Sequence, residues 1–151
     1  MGSHWFEEPV LADDIEDLAA VCRATDIPVA TGEHEYMKCG FKELIARGGA
    51  DIVQPDVGRV GGVTEWLKVA HLAQALNRPV APHVYQLVHL HLACATPNLH
   101  SVEYLEVVEQ GDEVWYTEFP EPANGRWSPD PHKPGPGLEL DPDSVKRFRA
   151  D

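Results

Sequence analysis

Along the first hundred residues, short apolar runs alternate with longer segments in which apolar residues recur at helical spacing. The runs have three to five residues and are predicted β-strands, at Trp5–Pro9, Ile27–Thr31, Ala50–Val53, Pro79–Ala81 and Ser101–Leu105. Short strands that alternate with helices of about ten or more residues are typical of βαβ units. The pattern therefore predicts an α/β fold with about five parallel strands and alternating helices.

The segments between the runs predict amphipathic helices. The first has an apolar face that begins at Leu11, and Asp14 favours its start because a carboxylate stabilises the positive end of a helix. Two further helices carry Phe41 and Trp66 on their apolar faces. The segment from Tyr85 to Ala95 is apolar nearly all round, which predicts a buried helix.

From about residue 107 this alternation ends. Glu113–Tyr116 is predicted to be a hairpin arm, and six prolines then fall between Pro120 and Pro136. A segment so rich in proline predicts an irregular Pro/Gly-rich tail that runs over a surface. Asp143–Phe148 is predicted to add a last short helix.

Composition narrows the class of protein. With 151 residues, 43% hydrophobic and 25% charged, the chain is expected to form one globular domain. A net charge of −13 argues against binding to nucleic acid or to an anionic membrane. No apolar run or leader suggests a membrane-spanning or secreted protein. Cys22, Cys39 and Cys94 have no CxxC spacing, which suits a reducing, cytoplasmic location.

Polar residues stand at the carboxyl end of each predicted strand, at steps of 20 to 27 residues. They are Glu7, Glu33, Asp56, His83 and Glu103. In a parallel sheet or barrel all such positions face one end, where βα loops build active sites. Each residue alone has a simpler explanation, such as an Asx turn at Asp56. Their coincidence favours a functional site.

The residue types point to divalent-metal chemistry. Glu7 and Glu33 offer hard oxygen ligands, and no cysteine is placed to favour zinc, so Mg²⁺ fits best. Asp56 can accept a hydrogen bond from His83, which would fix the imidazole tautomer and raise its basicity.

Five segments together resemble the enolase superfamily. They are Trp5-Phe6-Glu7-Glu8-Pro9, Thr31-Gly32-Glu33-His34, Gln54-Pro55-Asp56 with Gly61-Gly62-Val63-Thr64, Ala81-Pro82-His83, and Val102-Glu103-Tyr104-Leu105. Within the superfamily the chain is similar to the mandelate racemase subgroup, and most nearly to its acid-sugar dehydratases. The resemblance implies a partial TIM-type barrel with the irregular tail appended.

The resemblance also implies roles for individual residues. Glu7 and Glu33 would bind Mg²⁺, and Asp56 and His83 would form an acid/base dyad. Glu103 would hydrogen-bond the substrate carboxylate as it becomes an enediolate. The implied reaction removes the proton alpha to the carboxylate of a sugar acid, after which the beta hydroxyl leaves as water.

Compared with the family pattern, the chain is expected to contain the C-terminal half of the barrel in residues 5–106 and a C-terminal extension in residues 107–151. Residues 1–4 resemble an expression-tag remnant. The N-terminal capping domain and the early strands have no counterpart, so the expected partner is a missing N-terminal half or a second copy.

Weaker candidates and alternative functions remain open. His34, Tyr36 and Arg59 would contact substrate, or would be ordinary loop and turn residues. The same chemistry could serve a racemase or epimerase, although that reaction normally needs a second base. A non-catalytic half-barrel fragment is the alternative from a different class.

Overall fold

The computed structural model describes residues 3–150, so Met1, Gly2 and Asp151 lie outside the described residues. The predicted tag remnant therefore falls partly outside them. Within the described range the chain forms three short strands and six helices. In chain order they are β1 (Phe6–Glu7), α1 (Ile15–Ala24), β2 (Val29–Thr31), α2 (Met37–Ala46), β3 (Ile52–Val53), α3 (Val63–Ala75), α4 (Gln86–Cys94), α5 (Glu106–Trp115) and α6 (Pro142–Phe148).

The strands form one parallel sheet in the order β1-β2-β3, in which Glu7 pairs with Ala30 and Ala30 with Ile52. Two single-residue parallel bridges, Val53 to Val80 and Val80 to Leu99, extend the sheet by two positions. One helix lies between each position and the next. The predicted α/β architecture with a parallel sheet is confirmed, although its strands are shorter than expected and the last two are single bridges.

The two faces of the sheet differ in what covers them. Val29, Val53 and Val80 lie on the helix-covered face, in a buried cluster with Phe41, Trp66 and other side chains from α1 to α4. On the opposite face, which we call the inner face, the buried cluster holds only Ala30, Ile52 and Ala81, with Trp5 packed against it. The alternation follows from the two-residue period of a strand.

Local signals explain the helix boundaries. The side chain of Asp14 caps α1 by accepting a hydrogen bond from the amide of Asp17 at 3.0 Å. Helix α2 ends at Ala46, and Gly48 follows with φ of 75°. The predicted buried helix is α4, and the last predicted helix is α6, which Asp141 caps.

Three expectations are wrong. Leu11 precedes α1 and is 82% exposed, so it lies outside the apolar face. The fifth strand position is Leu99, and Ser101–Leu105 has no strand, because Val80 bonds to Asn98 and His100 instead. Glu113–Tyr116 is not a hairpin arm: its first three residues end α5, and only Tyr116 makes an antiparallel bridge, to Leu140.

The C-terminal segment folds largely on itself. Trp115 of α5 packs on Phe148 of α6 with ring centroids 5.1 Å apart. The segment between these helices is irregular, and its Trp127 meets Tyr104 at 5.7 Å between centroids. No helix within residues 3–150 is long and apolar enough to span a bilayer.

Candidate functional site

The carboxyl ends of the parallel strands bring several predicted site residues together. β2 ends at Thr31, and Gly32 then adopts φ of 135°, a conformation that favours glycine. A Cβ on Gly32 would also lie 2.8 Å from the Phe41 ring. Gly32 thus allows the turn that places Glu33 directly beyond the strand.

Asp56 and His83 form the hydrogen-bonded pair that the sequence predicts. His83 Nδ1 lies 3.0 Å from Asp56 Oδ2, and the Asp56 side chain is fully buried. Asp56 Oδ1 accepts a hydrogen bond from the amide of Gly58 at 2.7 Å, so the Asx-type turn and the dyad coexist. Because an ionised carboxylate only accepts hydrogen bonds, His83 Nδ1 carries the proton and Nε2 remains for other contacts.

Glu33 lies at the centre of the site. Its Oε2 lies 3.1 Å from His83 Nε2, and its Oε1 lies 3.3 Å from Arg59 Nη1. His34 Nδ1 is 3.7 Å from the same Oε1. The structure therefore joins Glu33, Asp56, His83 and Arg59 in one network, with Arg59 Nε also 3.7 Å from Asp56 Oδ2.

A second contact set connects this network to the end of β1 through Glu8. Glu8 Oε1 accepts a hydrogen bond from Thr31 Oγ1 at 3.1 Å and lies 3.3 Å from His34 Nδ1. Glu8, Glu33 and His34 each offer a ligand atom, and these atoms lie within 4.8 Å of one another. Glu8 is not among the site residues predicted from the sequence. The left-handed φ of 38° at Glu8 cannot be inferred from the residue type. The one sequence signal is Pro9, which follows Glu8 and restricts its backbone.

Glu7, the predicted metal ligand, lies on the inner face because it pairs with Ala30 of the inner-face cluster. Glu7 is exposed, and its Oε2 accepts a hydrogen bond from Trp5 Nε1 at 2.9 Å. It is absent from the group of potential ligands found among residues 3–150. Glu7 as a metal ligand stays a prediction.

Glu103 contacts the backbone beyond His83. Its Oε2 accepts a hydrogen bond from the amide of Val84 at 2.7 Å. Val84 and Tyr85 adopt left-handed φ angles of 34° and 41°, which cost about 1–3 kcal/mol each in residues with a Cβ. Glu103 thus helps to hold a strained segment beside the dyad, and its predicted contact with substrate stays a prediction.

The weaker candidates separate in the structure. His34 and Arg59 belong to the network around Glu33. Tyr36 is 66% exposed at the start of α2, and no hydrogen bond of its side chain is found among the described residues. Substrate contact by these three residues stays a prediction.

The residue that sequence reasoning missed most clearly is His89. Burial lowers the pKa of its imidazole, and the side chain is fully enclosed between α3 and the loops that carry the dyad. Helical periodicity places it on a buried face of α4, but its partners are backbone groups of distant loops, which sequence does not reveal.

The sequence and fold of the chain have counterparts among known proteins. A family model described as enolase C-terminal domain-like matches residues 1–144. The match covers most of the chain, which therefore belongs to this family of enolase-type C-terminal domains. The predicted resemblance to the enolase superfamily is confirmed.

Particular relatives narrow the comparison. L-Talarate/galactarate dehydratase of Salmonella typhimurium is 45% identical over 105 residues, which are 68% of this chain and 26% of that protein. The structure of L-talarate dehydratase from Polaromonas sp. JS666, complexed with Mg and L-glucarate, matches with a TM-score of 0.85 and 37% identity. An enolase from Bradyrhizobium, complexed with magnesium and mandelic acid, matches with a TM-score of 0.89 and 32% identity.

The two solved structures differ greatly from this chain in length. The match to the Polaromonas enzyme covers 97% of this chain and 40% of that one. The match to the Bradyrhizobium enolase covers 98% of this chain and 39% of that one. The chain therefore spans about a quarter to two fifths of the length of the relatives it matches.

The donor set of this chain fits a magnesium ion. Glu8 and Glu33 supply half-buried carboxylate oxygens, the ligand type that Mg²⁺ prefers. Opposite ligands of Mg²⁺ lie roughly 4.2 Å apart, so donor atoms within 4.8 Å need only small rotations to converge. The carboxylates of Glu33 and Asp56 both face the single guanidinium of Arg59, and this excess of negative charge favours an added cation.

Proposed function

We propose that this domain carries the proton-transfer half of a magnesium-dependent acid-sugar dehydratase. The reaction would remove the proton alpha to a carboxylate and eliminate the beta hydroxyl as water. The single observation that carries the proposal is the Asp56–His83 pair, with Nδ1 and Oδ2 3.0 Å apart at the strand ends beside Glu33. The sugar-acid class is supported by the names of the relatives in Salmonella and Polaromonas.

His83 is the proton-transfer group in this proposal. Its Nδ1–H donates to buried Asp56, which fixes the ring orientation and leaves Nε2 as the atom that takes or gives a proton. Nε2 now faces Glu33 Oε2 at 3.1 Å. Glu33 must turn toward another partner before Nε2 can reach a substrate.

The carboxylates supply the metal site in this proposal. We assign Glu33 and Glu7 as ligands, as the family resemblance implies, and Glu7 lies on the inner face at the end of β1. Glu8, whose carboxylate lies beside that of Glu33 and beside the His34 ring, is the alternative second ligand. Bound Mg²⁺ would act as a Lewis acid that stabilises negative charge developing on the substrate carboxylate. In this proposal Arg59, which lies beside Glu33, binds the same carboxylate, while Glu103 accepts a hydrogen bond from the backbone after His83.

The activity test uses the purified chain with Mg²⁺ and galactarate or L-talarate. We expect formation of a 2-keto-3-deoxy acid, reduced about 10²–10⁴-fold in His83→Asn because a positioned acid/base group contributes that much. His71→Asn is the matched control, since His71 is exposed on α3, and it should keep its rate within about twofold. Exchange of the alpha proton in D₂O without water loss would indicate a racemase or epimerase instead. Neither turnover nor exchange, with metal bound, would indicate a non-catalytic fragment.

The metal assignment has its own test, a calorimetric Mg²⁺ titration. Glu33→Gln and Glu7→Gln should each weaken binding at least tenfold, because each would lose a charged ligand. Glu8→Gln is the matched neighbour, and we expect a smaller change because Glu8 also has Thr31 and His34 as partners. If Glu8→Gln abolishes binding while Glu7→Gln does not, the second ligand is Glu8 and the assignment of Glu7 is wrong.

The chain is further proposed to associate through the β1 edge of the sheet, with a second copy or with an N-terminal half. Phe6 lies on this edge strand, and its side chain, on the same face as that of Val29, is 49% exposed. An unpaired sheet edge with exposed apolar residues favours association. Sedimentation of the purified chain should show a complex that Phe6→Lys dissociates, and a strictly monomeric species at high concentration would contradict the proposal.

A further inference from the structure

His89 is a buried titratable group that the proposed chemistry does not use. It lies on α4 with no exposed surface, and its ring centroid is 6.0 Å from that of Trp66. Its two ring nitrogens contact two different loops. Nε2 lies 3.0 Å from the amide nitrogen of Val57, and Nδ1 lies 2.8 Å from the carbonyl oxygen of Val84.

These contacts fix the tautomer of His89. A carbonyl oxygen only accepts hydrogen bonds, so Nδ1 must carry the proton that it donates to Val84. A backbone amide only donates, so Nε2 must be unprotonated to accept from Val57. Both nitrogens are used and the ring is neutral, in agreement with the lowered pKa that burial gives it.

The two backbone groups immediately follow the two dyad residues. Val57 follows Asp56, and Val84 follows His83. His89 therefore joins the Asp56 loop to the His83 loop through one rigid ring.

Each of the two loops is also held by a second hydrogen bond, so the His89 ring joins two segments whose positions are fixed independently. The Trp66 Nε1–H donates to the carbonyl oxygen of Pro55 at 3.2 Å, just before Asp56. The amide of Val84 donates to Glu103, while its carbonyl accepts from His89. Both backbone groups of Val84 are thereby held in a left-handed conformation that a β-branched residue rarely adopts.

We propose that His89 is a positioning residue, which sets the distance between Asp56 and His83 by linking the backbone of Val57 to that of Val84. The inference rests on the proposed function of the dyad. Its effect is on proton transfer rather than on binding, because misplacing a reacting group by about 1 Å can cost about 10²-fold in rate.

The experiment compares His89→Leu, which removes both hydrogen bonds, with His89→Gln, whose amide can both donate and accept. His91→Leu is the matched control on the same helix, where the imidazole contacts only the tail carbonyl of Pro136 among described residues. Three measurements are made on each full chain: imidazole ¹⁵N NMR, amide hydrogen exchange, and kcat and KM with Mg²⁺ and galactarate.

In the unsubstituted chain we expect His89 to be the neutral Nδ1–H tautomer. His89→Leu should speed exchange of the Val57 amide at least tenfold and lower kcat about 10²-fold, with KM changed less than about threefold. His89→Gln should restore part of both losses, and His91→Leu should leave both unchanged. If His89→Leu does not fold, His89→Gln and the tautomer measurement still decide the matter.

The inference is overturned if His89 carries its proton on Nε2, or if Val57 exchange is unaffected in a folded His89→Leu chain. It is also overturned if KM rises as much as kcat falls, or if amide exchange in His89→Leu speeds up throughout the core as much as at Val57, as general destabilisation would produce. A chain without turnover contradicts the proposed function alone, because the tautomer and the Val57 amide still report whether His89 holds the two loops.

Discussion

Residues 5–100 and residues 101–150 are built in different ways, although they belong to one chain. All residues classed as buried in the described part of the chain lie between Leu18 and Thr96. Helices α5 and α6 contain no buried residue, and they pack mainly on each other through Trp115 and Phe148. The comparison shows that the parallel sheet and its helices hold a core of their own, while the C-terminal segment depends on surface contacts.

The strongest test of this difference is a pair of tryptophan substitutions. Trp66→Ala should lower the free energy of unfolding by about 3–5 kcal/mol, because the side chain is fully buried and its indole N–H bonds to Pro55. Trp115→Ala should cost about 1 kcal/mol, the scale of one exposed aromatic pair. Urea unfolding of both variants measures the two values, and equal losses would refute the distinction.

The same difference decided what the sequence could predict. Within residues 5–100 the elements follow from burial. Phe41 and Leu44 of α2 recur at helical spacing because they face the core, and Trp66 and Ala70 of α3 do so for the same reason. In α5 no residue is buried, so its apolar positions carry little information about the core, and the prediction of a hairpin arm at Glu113–Tyr116 is wrong. The prediction for Leu11 is wrong for a related reason. Its spacing to Ile15 and Leu18 is helical, but α1 begins only at Ile15, four residues after Leu11.

At the site, the residues that lie at successive strand ends could be predicted from their order in the chain. The contacts that depend on local backbone geometry could not. The spacing of strand ends predicted that Glu33, Asp56 and His83 would meet, and the structure brings them within hydrogen-bond distance. The place of Glu8 depends on a left-handed backbone, which residue type does not specify. The contacts of His89 depend on the exact path of two loops.

A second prediction sharpens the comparison through acid stability. Glu65 accepts hydrogen bonds from Lys68 Nζ, Lys38 N and Lys38 Nζ, which lower its pKa to about 2. A depressed carboxyl pKa gives stability that is complete above the ordinary value of 4.5 and is lost as pH falls toward about 2. Glu65→Gln should therefore be less stable than the parent near pH 7, with the gap closing on acidification.

The measurement is the free energy of unfolding between pH 2 and 7 for both chains. Glu43→Gln is the control, since Glu43 is exposed on α2 and an exposed carboxylate contributes little to stability. A gap between Glu65→Gln and the parent that stays constant over this range would contradict the assigned role of the lysine contacts.

The smallest expected effect has the opposite sign and lies in the C-terminal segment. Desolvation, with a contribution from Glu109, raises the pKa of Asp112 in α5 to about 6. The raised value gives stability that is full below the ordinary 3.8 and is lost as pH rises through about 6. Asp112→Asn should protect the amides of α5 more than the parent does at pH 7, and equally at pH 3.

Amide exchange of α5 and α6 at the two pH values checks this prediction. Glu113→Gln changes an exposed acid one residue away and should show no such pH-dependent gain. If Asp112→Asn also alters amide exchange in α1 to α4, the two regions are coupled, and the conclusion that residues 5–100 hold a core of their own is wrong.

The distribution of tryptophans has a spectroscopic consequence. Trp66 is sealed from water, whereas Trp115 is 39% exposed and Trp5 and Trp127 are partly exposed. Fluorescence of the chain should therefore contain a blue-shifted component that acrylamide quenches poorly and a red-shifted one that it quenches readily. Because the blue-shifted component comes from Trp66 alone, its emission would follow the loss of the core. In the Trp5→Phe chain, the red-shifted component would come from Trp115 and Trp127 and follow the loosening of the tail in the same sample.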